Sequence, residues 1–292
     1  MGKFFEELAK KLAERWMALL VLPGALFILL AALALWQGQR LALDWTRARQ
    51  GLDAVTALRL QVGGQVTAVL ALLLASAGIG FAVQGLAGLT RAVWLGRWPG
   101  PVRRLRAAAR RRRWLSLVEK RAAVDRDDPD RQAKVDRFAE RANRIAMAEP
   151  GRPTWMGDRV HAVEQVALNR FGVDLAFGWS RLWLVLPDTV RAEITAAEST
   201  FAAAVATGTW SLPYLVLAAW WWPAAVIGLV FGATGWAKGR HAIAELTVLS
   251  EAAVDLHGRT LARALGVGDQ EETGVLTIDQ GREITALVRK GR

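Results

Sequence analysis

Residues 199–237, STFAAAVATGTWSLPYLVLAAWWWPAAVIGLVFGATGWA, form a stretch of 39 residues without a charged side chain, and this stretch decides the fold. A bilayer core about 30 Å thick is crossed by about 20 helical residues, so the stretch is too long for one upright span. In its middle, Trp220-Trp221-Trp222 precedes Pro223; indole rings favour the membrane interface, and proline favours a first helical turn. The stretch predicts a transmembrane hairpin that turns near 220–223, with one long tilted span as the alternative.

Two further apolar stretches in the N-terminal third predict another hairpin. Trp16 and Trp36 bracket the first, which gives a span at about 17–36, and the second, uncharged from Leu60 to Thr90, gives a span at about 66–90. Residues 3–15 predict a short amphipathic helix, either the entry turn of the first span or an anchor along the headgroups. We therefore expect an all-α integral membrane protein with four transmembrane helices in two hairpins.

The charge distribution predicts the orientation of these spans. Between Arg91 and Arg121 there are eleven basic residues and a single acidic one, Glu119. Lys and Arg near the ends of spans are retained in the cytoplasm, so this segment and both termini are expected there. The predicted domains are 1–98 with the amphipathic helix and first hairpin, 99–198 as a cytoplasmic helical domain, 199–238 as the second hairpin, and 239–292 as a cytoplasmic stalk helix with a short C-terminal helix.

Composition excludes several kinds of chemistry. The chain has no cysteine and three histidines, and it contains no P-loop, dinucleotide glycine fingerprint, nucleophile elbow or HExxH motif. His161 and Glu164 have a spacing that one metal ion could bridge, but a catalytic zinc needs three protein ligands. We expect no enzymatic activity, no cofactor and no metal site.

Small residues within the spans predict close helix packing. In lipid, helices associate by packing and not by hydrophobic burial, so small side chains mark the contact faces. In the fourth span they recur every four residues. The predicted packing or oligomerisation residues are Gly78, Ala82, Ala224, Gly228 and Gly232. The pattern does not distinguish a neighbour within the chain from a second copy.

The net charge of +11 suggests two kinds of anionic partner, lipid and nucleic acid. The densest basic run follows a membrane exit directly and has only Trp114 as an adjacent aromatic residue, which favours lipid and argues against nucleic acid. The predicted headgroup contacts are Arg103, Arg104, Arg106, Arg110, Arg111, Arg112 and Arg113. The predicted tryptophan belt at the membrane interface is Trp16, Trp36, Trp94, Trp98, Trp220, Trp221 and Trp222.

Local signals place helix ends in the cytoplasmic part. Thr154 and Asp174 are expected to cap helices, and Gly172 is expected to end one in the left-handed conformation. Pro187 is expected to start the helix that becomes the third span. The helix of the fourth span should continue past Lys238 to about Leu265.

Residues 153–187 resemble a pattern in a group of uncharacterised, mostly actinobacterial membrane proteins: PTxxG(N/D), then aromatic-Gly-x-Asp, WxRL and LP. The residues that carry the resemblance are Gly157, Asp158, Glu164, Gly172, Asp174, Trp179, Arg181 and Pro187. Phe171 stands where tyrosine is commoner in the group. The resemblance implies a multi-pass protein of the bacterial plasma membrane, in a defence or signalling system. Asp158, Glu164 and Asp174 are expected as possible partners of Arg181, in a capped elbow or a docking site.

Two functions follow as hypotheses. The first is a self-associating, non-enzymatic membrane protein that acts as a pore, a channel or an effector on the membrane, as a homo-oligomer. The second is a membrane anchor or scaffold that recruits a cytoplasmic protein partner through residues 102–198.

Overall fold

The computed structural model describes residues 21–42, 44, 46, 49, 62–125, 127–269 and 274–289. Within these residues the fold is all-α, as predicted. Trp16, the amphipathic segment 3–15 and the start of the first span lie outside the described residues. The helices are α1 Leu22–Gln37, α2 Val62–Trp94, α3 Gly100–Ala122, α4 Arg131–Ile145, α5 Trp155–Phe171, α6 Leu175–Val185, α7 Asp188–Thr209, α8 Ser211–Leu217, α9 Pro223–Ala264 and α10 Ile278–Arg289.

The chain forms two compact units. Unit 1 comprises residues 1–90 and 203–237, and unit 2 comprises residues 91–202 and 238–292. The helices α2, α7 and α9 have residues in both units, because each is continuous across a boundary.

Unit 1 is built from the apolar helices. Its core includes Tyr214 on α8, whose ring meets Phe27 of α1 edge-on at 5.3 Å and stacks on Phe231 of α9 at 5.5 Å. The helix α1 approaches α2 closely, since a Cβ added at Gly24 would lie 2.2 Å from the carbonyl oxygen of Ser76. Glycine is therefore required at this crossing.

The uncharged stretch 199–237 consists of two helical arms. The chain leaves helical geometry after Leu217 and starts α9 at Pro223. Gln39 holds this turn, because its side-chain amide donates to the carbonyls of Ala218 at 2.9 Å and Ala219 at 2.8 Å and accepts from the Trp222 N–H at 3.0 Å. A single uninterrupted helix over 199–237 is thus excluded.

Two helical runs among the described residues are long and apolar enough to cross a bilayer, Val66–Trp94 and Asp188–Leu217. The helix α1 has 16 described residues. The uncharged part of α9 runs only from Pro223 to Ala237, about 22 Å at a rise of about 1.5 Å per residue. The described part of α1 and this part of α9 are each shorter than a bilayer core, so the four-span arrangement stays a prediction.

Unit 2 has one apolar core. It is formed by α5, α6, α10 and the second half of α9, with Ile194 of α7, Ala262 of α9 and Ile284 of α10 fully buried. The helices α3 and α4 pack against each other as an antiparallel hairpin. The continuation of α9 to Ala264 confirms the predicted extension beyond Lys238.

Candidate functional site

A cluster of polar contacts in unit 2 surrounds Asp158, near the start of α5. Its carboxylate is 8% exposed and pairs with the Arg110 guanidinium at 2.6 Å. The other carboxylate oxygen accepts from the backbone N–H of Gly151 at 2.9 Å and of Arg152 at 2.6 Å. Arg110 also donates to the carbonyl of Ile145 at 2.6 Å. Asp158 therefore ties the α3–α4 hairpin and the 146–153 segment to α5.

The start of α5 depends on a cap and on a glycine. Thr154 Oγ1 accepts from the Gly157 N–H at 3.1 Å, which confirms the predicted cap, and donates to the carbonyl of Trp94 at 2.7 Å. A Cβ at Gly157 would lie 2.5 Å from the Leu95 carbonyl oxygen. Threonine, glycine and aspartate of the PTxxGD string thus have structural roles in this chain.

The corner between α5 and α6 binds α10. Gly172 has φ 71°, which confirms the left-handed end of α5, and a Cβ there would lie 2.4 Å from the Ile278 carbonyl oxygen. Asp174 caps α6 by accepting from the Ala176 N–H at 3.0 Å, as predicted, and pairs with Arg289 at 2.6 Å. Thr285 of α10 accepts from the Asp174 N–H at 2.9 Å and donates to the Gly172 carbonyl at 2.7 Å.

The predicted partners of Arg181 are wrong. Its guanidinium donates to the carbonyl of Phe177, one turn earlier in α6, at 2.7 Å. Asp158 and Asp174 are held by other arginines, and Glu164 pairs with His161 at 3.1 Å. The explanation is geometric: an arginine on a helix reaches a carbonyl of its own preceding turn without moving the backbone.

Trp179 and Pro187, the two remaining residues of the 153–187 resemblance, have structural roles in this chain. Trp179 lies against the ring of Trp183 at 6.3 Å on α6, and both pack on the core of unit 2. Pro187 immediately precedes α7, and its carbonyl accepts from the Arg191 N–H at 3.0 Å. This carbonyl is the first acceptor of the helix, so Pro187 lies at the start of α7, as the sequence predicts.

The basic run lies on α3, and its arginines fall into two groups: those in ion pairs and those exposed without one among the described residues. Arg110 is turned toward Asp158 and Ile145, so its predicted headgroup contact is wrong: its half-buried guanidinium is occupied by an ion pair and a backbone carbonyl. Arg111 forms an exposed ion pair with Glu149. The arginines at 103, 104, 106, 112 and 113 are exposed. Leu105, 74% exposed, lies on the same outward surface, which is therefore basic and partly apolar.

The predicted packing residues have different neighbours. On α9, Ala224 is fully buried, a Cβ at Gly228 would lie 3.0 Å from the Leu215 side chain, and one at Gly232 would lie 3.4 Å from the Cβ of Ser211. These residues pack against α8 of the same chain. On α2, by contrast, Gly78 and Ala82 are exposed.

The predicted tryptophan belt needs one correction. Trp36, Trp220 and Trp222 are exposed, whereas Trp221 is 6% exposed and its indole N–H donates to the carbonyl of Ala42 at 3.1 Å. Trp221 therefore belongs to the core of unit 1, where it lies in one buried cluster with Ala42 and Leu217. Trp94 and Trp98 are half-buried. Trp16 lies outside the described residues.

A cleft of about 300 Å³ runs along one side of α5. Its apolar lining includes Met147, Trp155, Ala162 and Val166. The polar lining residues are Glu149, Asp158, Arg159, His161, Gln165, Asn169 and Arg170. The cleft is thus amphipathic, and it lies beside the cluster around Asp158.

One exposed ion pair shifts the pKa values of its members. Lys134 donates to Asp128 at 2.5 Å at the turn of the α3–α4 hairpin. This hydrogen bond lowers the pKa of Asp128 and raises the pKa of Lys134. Among the described residues, no group of three or more His, Asp or Glu side chains is placed to hold a metal ion.

Several of these contacts have no signal in the local sequence. Arg110 and Asp158 are 48 positions apart, and Arg159 donates to Thr247 at 3.0 Å across 88 positions. Periodicity identifies the buried face of each helix but not its neighbour. Comparisons with protein families, with curated proteins and with solved structures found no match.

Proposed function

We propose that this chain is a non-enzymatic protein of the bacterial plasma membrane that self-associates through α2 and acts on that membrane as a pore or membrane-acting effector. Its four spans form two hairpins, both termini are cytoplasmic, and unit 2 contacts anionic lipid through α3. The single observation that carries the proposal is the exposed apolar surface of α2.

The helix α2 is covered very little by its own chain. Only 17% of its candidate membrane window is buried, against 44% for the window in Asp188–Leu217. Leu74 and Leu89 are among its exposed side chains. A core helix of a water-soluble domain buries such side chains, and the other described residues leave them exposed. We infer that lipid or another copy of the chain covers them.

Small residues give α2 a face suited to another helix. Ala71, Ala75, Gly78, Ala82 and Gly85 follow one another at intervals of four and three residues, and all are exposed. A Cβ at Gly78 or Gly85 would have no neighbour within 4 Å. The corresponding small residues of α9 are already used within the chain, which supports α2 as the contact between copies.

The absence of charge in the spans helps to distinguish a nonselective opening from a transporter or a selective channel. Residues 60–90 and 199–237 contain no ionisable side chain other than Tyr214, although ion-coupled transport normally uses such groups within the membrane. This supports a nonselective opening or a disturbance of the bilayer, and argues against a selective ion channel.

The test compares two sets of α2 variants. Gly78→Leu with Ala82→Leu enlarges the small-residue face, and Gly88→Leu adds the same side chain to another exposed side of α2, where a Cβ also has no neighbour within 4 Å. We expect oligomers of the wild type and of Gly88→Leu by sedimentation in detergent, and smaller species for the double variant. Dye release from liposomes should fall in parallel.

The proposal fails if wild-type protein is monomeric and leaves liposomes sealed. It also fails if the double variant and Gly88→Leu have the same sedimentation and dye release, because the small-residue face would then have no special role.

A scaffold function is the second candidate, favoured by the exposure of α3. No residue of α3 is buried, so a cytoplasmic partner could bind along its whole length. Crosslinking in cells from exposed positions of α3 and α4 should then capture one dominant protein. Capture of lipid alone would exclude this function.

A further inference from the structure

The amphipathic cleft along α5 has an excess of positive charge, which favours an anionic ligand. Its two acidic lining residues are both neutralised from outside, Asp158 by Arg110 and Glu149 by Arg111. Two further acids near α5 also have partners. Glu164 binds His161, and Asp255 lies 3.7 Å from Arg170. None of the four carboxylates is left for another cation.

Arg159 is the lining cation without a carboxylate. Its side chain is half-buried, and its Nε donates to Thr247 Oγ1 at 3.0 Å. No ion pair involves Arg159 in the part of the chain that the structure describes. A guanidinium held at Nε by a hydroxyl has its two Nη groups oriented and unneutralised, which is the arrangement that favours a bidentate oxyanion.

A second cation lies at Trp155, another lining residue. The guanidinium of Arg240 lies over the Trp155 ring at 4.4 Å from its centroid. Arg240 also has no carboxylate partner among the ion pairs of the described residues. Because Arg240 and Thr247 are both on α9, they are brought to the same side of α5 at Trp155 and Arg159. Arg159 lines the cleft directly, and Arg240 lies over the ring of Trp155, which also lines it.

The cleft also offers neutral donors and an apolar surface. Gln165 and Asn169 line it with side-chain amides, and Ala162 and Val166 provide the apolar part. Its volume of about 300 Å³ matches the lower end of small-molecule sites and is too small for a folded protein element.

We propose that this cleft binds a small phosphate-bearing ligand with an apolar or aromatic body, that Arg159 recognises the phosphate, and that Arg240 adds positive charge from its position over Trp155. A guanidinium with adjacent amide donors and a second positive charge nearby matches the several oxygens of a phosphate better than the two of a carboxylate. The ligand is either a soluble phosphate ester or the headgroup of a short-reaching lipid. This site goes beyond the proposed action on the membrane and does not depend on self-association.

A ligand in the cleft would lie against the segment that joins α4 to α5. Ala146, Met147 and Glu149 line it, and the carbonyl of Ala146 accepts from the Trp114 indole N–H of α3 at 3.0 Å. A bound ligand would therefore contact the segment that connects the α3–α4 hairpin to α5.

The test uses the full-length protein in maltoside detergent, which contains no phosphate. Isothermal titration calorimetry is run with adenosine monophosphate, dihexanoyl phosphatidic acid, inorganic phosphate and succinate. We expect binding of at least one of the two organic phosphates, weaker binding of inorganic phosphate, and none of succinate. Arg159→Gln should weaken the affinity about 10- to 100-fold, since a hydrogen bond to a charged group is lost.

Matched variants separate recognition from folding. Arg240→Gln should weaken binding by a smaller factor, because Arg240 acts through its charge over Trp155, and Arg137→Gln, an exposed arginine of α4, should leave binding unchanged. Thr247→Val removes the hydroxyl at Arg159 Nε and should weaken binding less than Arg159→Gln does. Each variant is compared at equal thermal stability and equal helix content.

The two organic phosphates identify the source of the ligand. Binding of adenosine monophosphate alone indicates a soluble ester, and binding of phosphatidic acid alone indicates a lipid headgroup. The proposal is overturned if neither organic phosphate binds, if succinate binds as tightly, or if Arg159→Gln binds like wild type. These outcomes are independent of the sedimentation and dye-release results for α2.

Discussion

At the scale of single residues, two acids of the 153–187 segment combine local hydrogen bonds with an ion pair to a residue distant in sequence. Asp158 joins two backbone N–H groups and Arg110, and Asp174 joins the start of α6 to Arg289. Such residues lose more than one interaction when they are substituted. Their effect on stability should therefore exceed that of an exposed acid with a single partner.

Asp158→Ala should lower the stability of the folded chain by about 3 kcal/mol, because Arg110, at 17% exposure, would lose its counter-charge and two backbone N–H groups would lose their acceptor. Asp188→Ala is the matched control, since Asp188 is 93% exposed and pairs only within its own helix turn with Arg191. It should change stability by less than about 0.5 kcal/mol. Thermal unfolding in detergent, followed by circular dichroism, measures both. Equal midpoints would contradict the structural role of Asp158.

Gly172 and Gly266 provide a second matched pair, with φ values of 71° and 72°. Gly266→Ala should lower stability by about 1 kcal/mol through backbone strain alone, because its Cβ would have open space. Gly172→Ala adds a clash with the Ile278 carbonyl oxygen and should lower it further. Only Gly172→Ala should speed tryptic cleavage within α10, at Arg282 and Arg289. Equal cleavage rates would contradict the contact with α10.

At the scale of helices, α2 and α9 have the same kind of small-residue pattern but different neighbours. A Cβ at Gly235 of α9 would lie 2.5 Å from the Cα of Gly208, whereas one at Gly78 of α2 would meet nothing within 4 Å. Small residues allow close approach wherever a helix is available, so the pattern alone does not identify the neighbour. The α9 face is used by the fold, and the α2 face is open.

The helix α3 should associate with anionic lipid through its outward arginines. A variant with Gln at 104, 106, 112 and 113 removes four exposed positive charges, and a control with Gln at 131, 137, 141 and 144 removes four from α4. A fluorophore at Ser116→Cys should show a blue-shifted emission in nanodiscs containing phosphatidylglycerol. The α3 variant should lose this shift, at about 1 kcal/mol per arginine, and the α4 variant should keep it. A shift that survives in the α3 variant would contradict lipid contact.

At the scale of the whole molecule, the topology of four spans is the point to test, and the absence of natural cysteine makes labelling direct. Exposed positions are needed, so Trp220→Cys is preferable to the buried Trp221, and Arg112→Cys and Leu287→Cys report on unit 2. With a membrane-impermeant thiol reagent on whole cells, position 220 should react, and positions 112 and 287 only after lysis. Reaction of 220 only after lysis would contradict the hairpin.

Local sequence predicted the helix ends well, because a cap depends on residues within one turn. Thr154, Gly172 and Asp174 each have the predicted role, and α9 continues past Lys238. The predicted acids for Arg181 were wrong, since helical spacing does not show which neighbouring element presents a carboxylate. Trp221 was placed at the membrane interface on composition, whereas the turn it belongs to buries its ring.

The helical class of the chain, the positions of its uncharged stretches and the caps of its helices follow from the sequence, because these properties depend on neighbours along the chain. The pairing of Arg110 with Asp158, the use of the α9 glycines within the chain, and the lack of a carboxylate partner for Arg159 among the described residues follow from packing. Each of these depends on residues distant in sequence that meet only after packing. The stretch 199–237 is an example of both kinds of property. Its lack of charge is visible in the sequence, whereas the contact of its turn with Gln39 forms only in the folded chain.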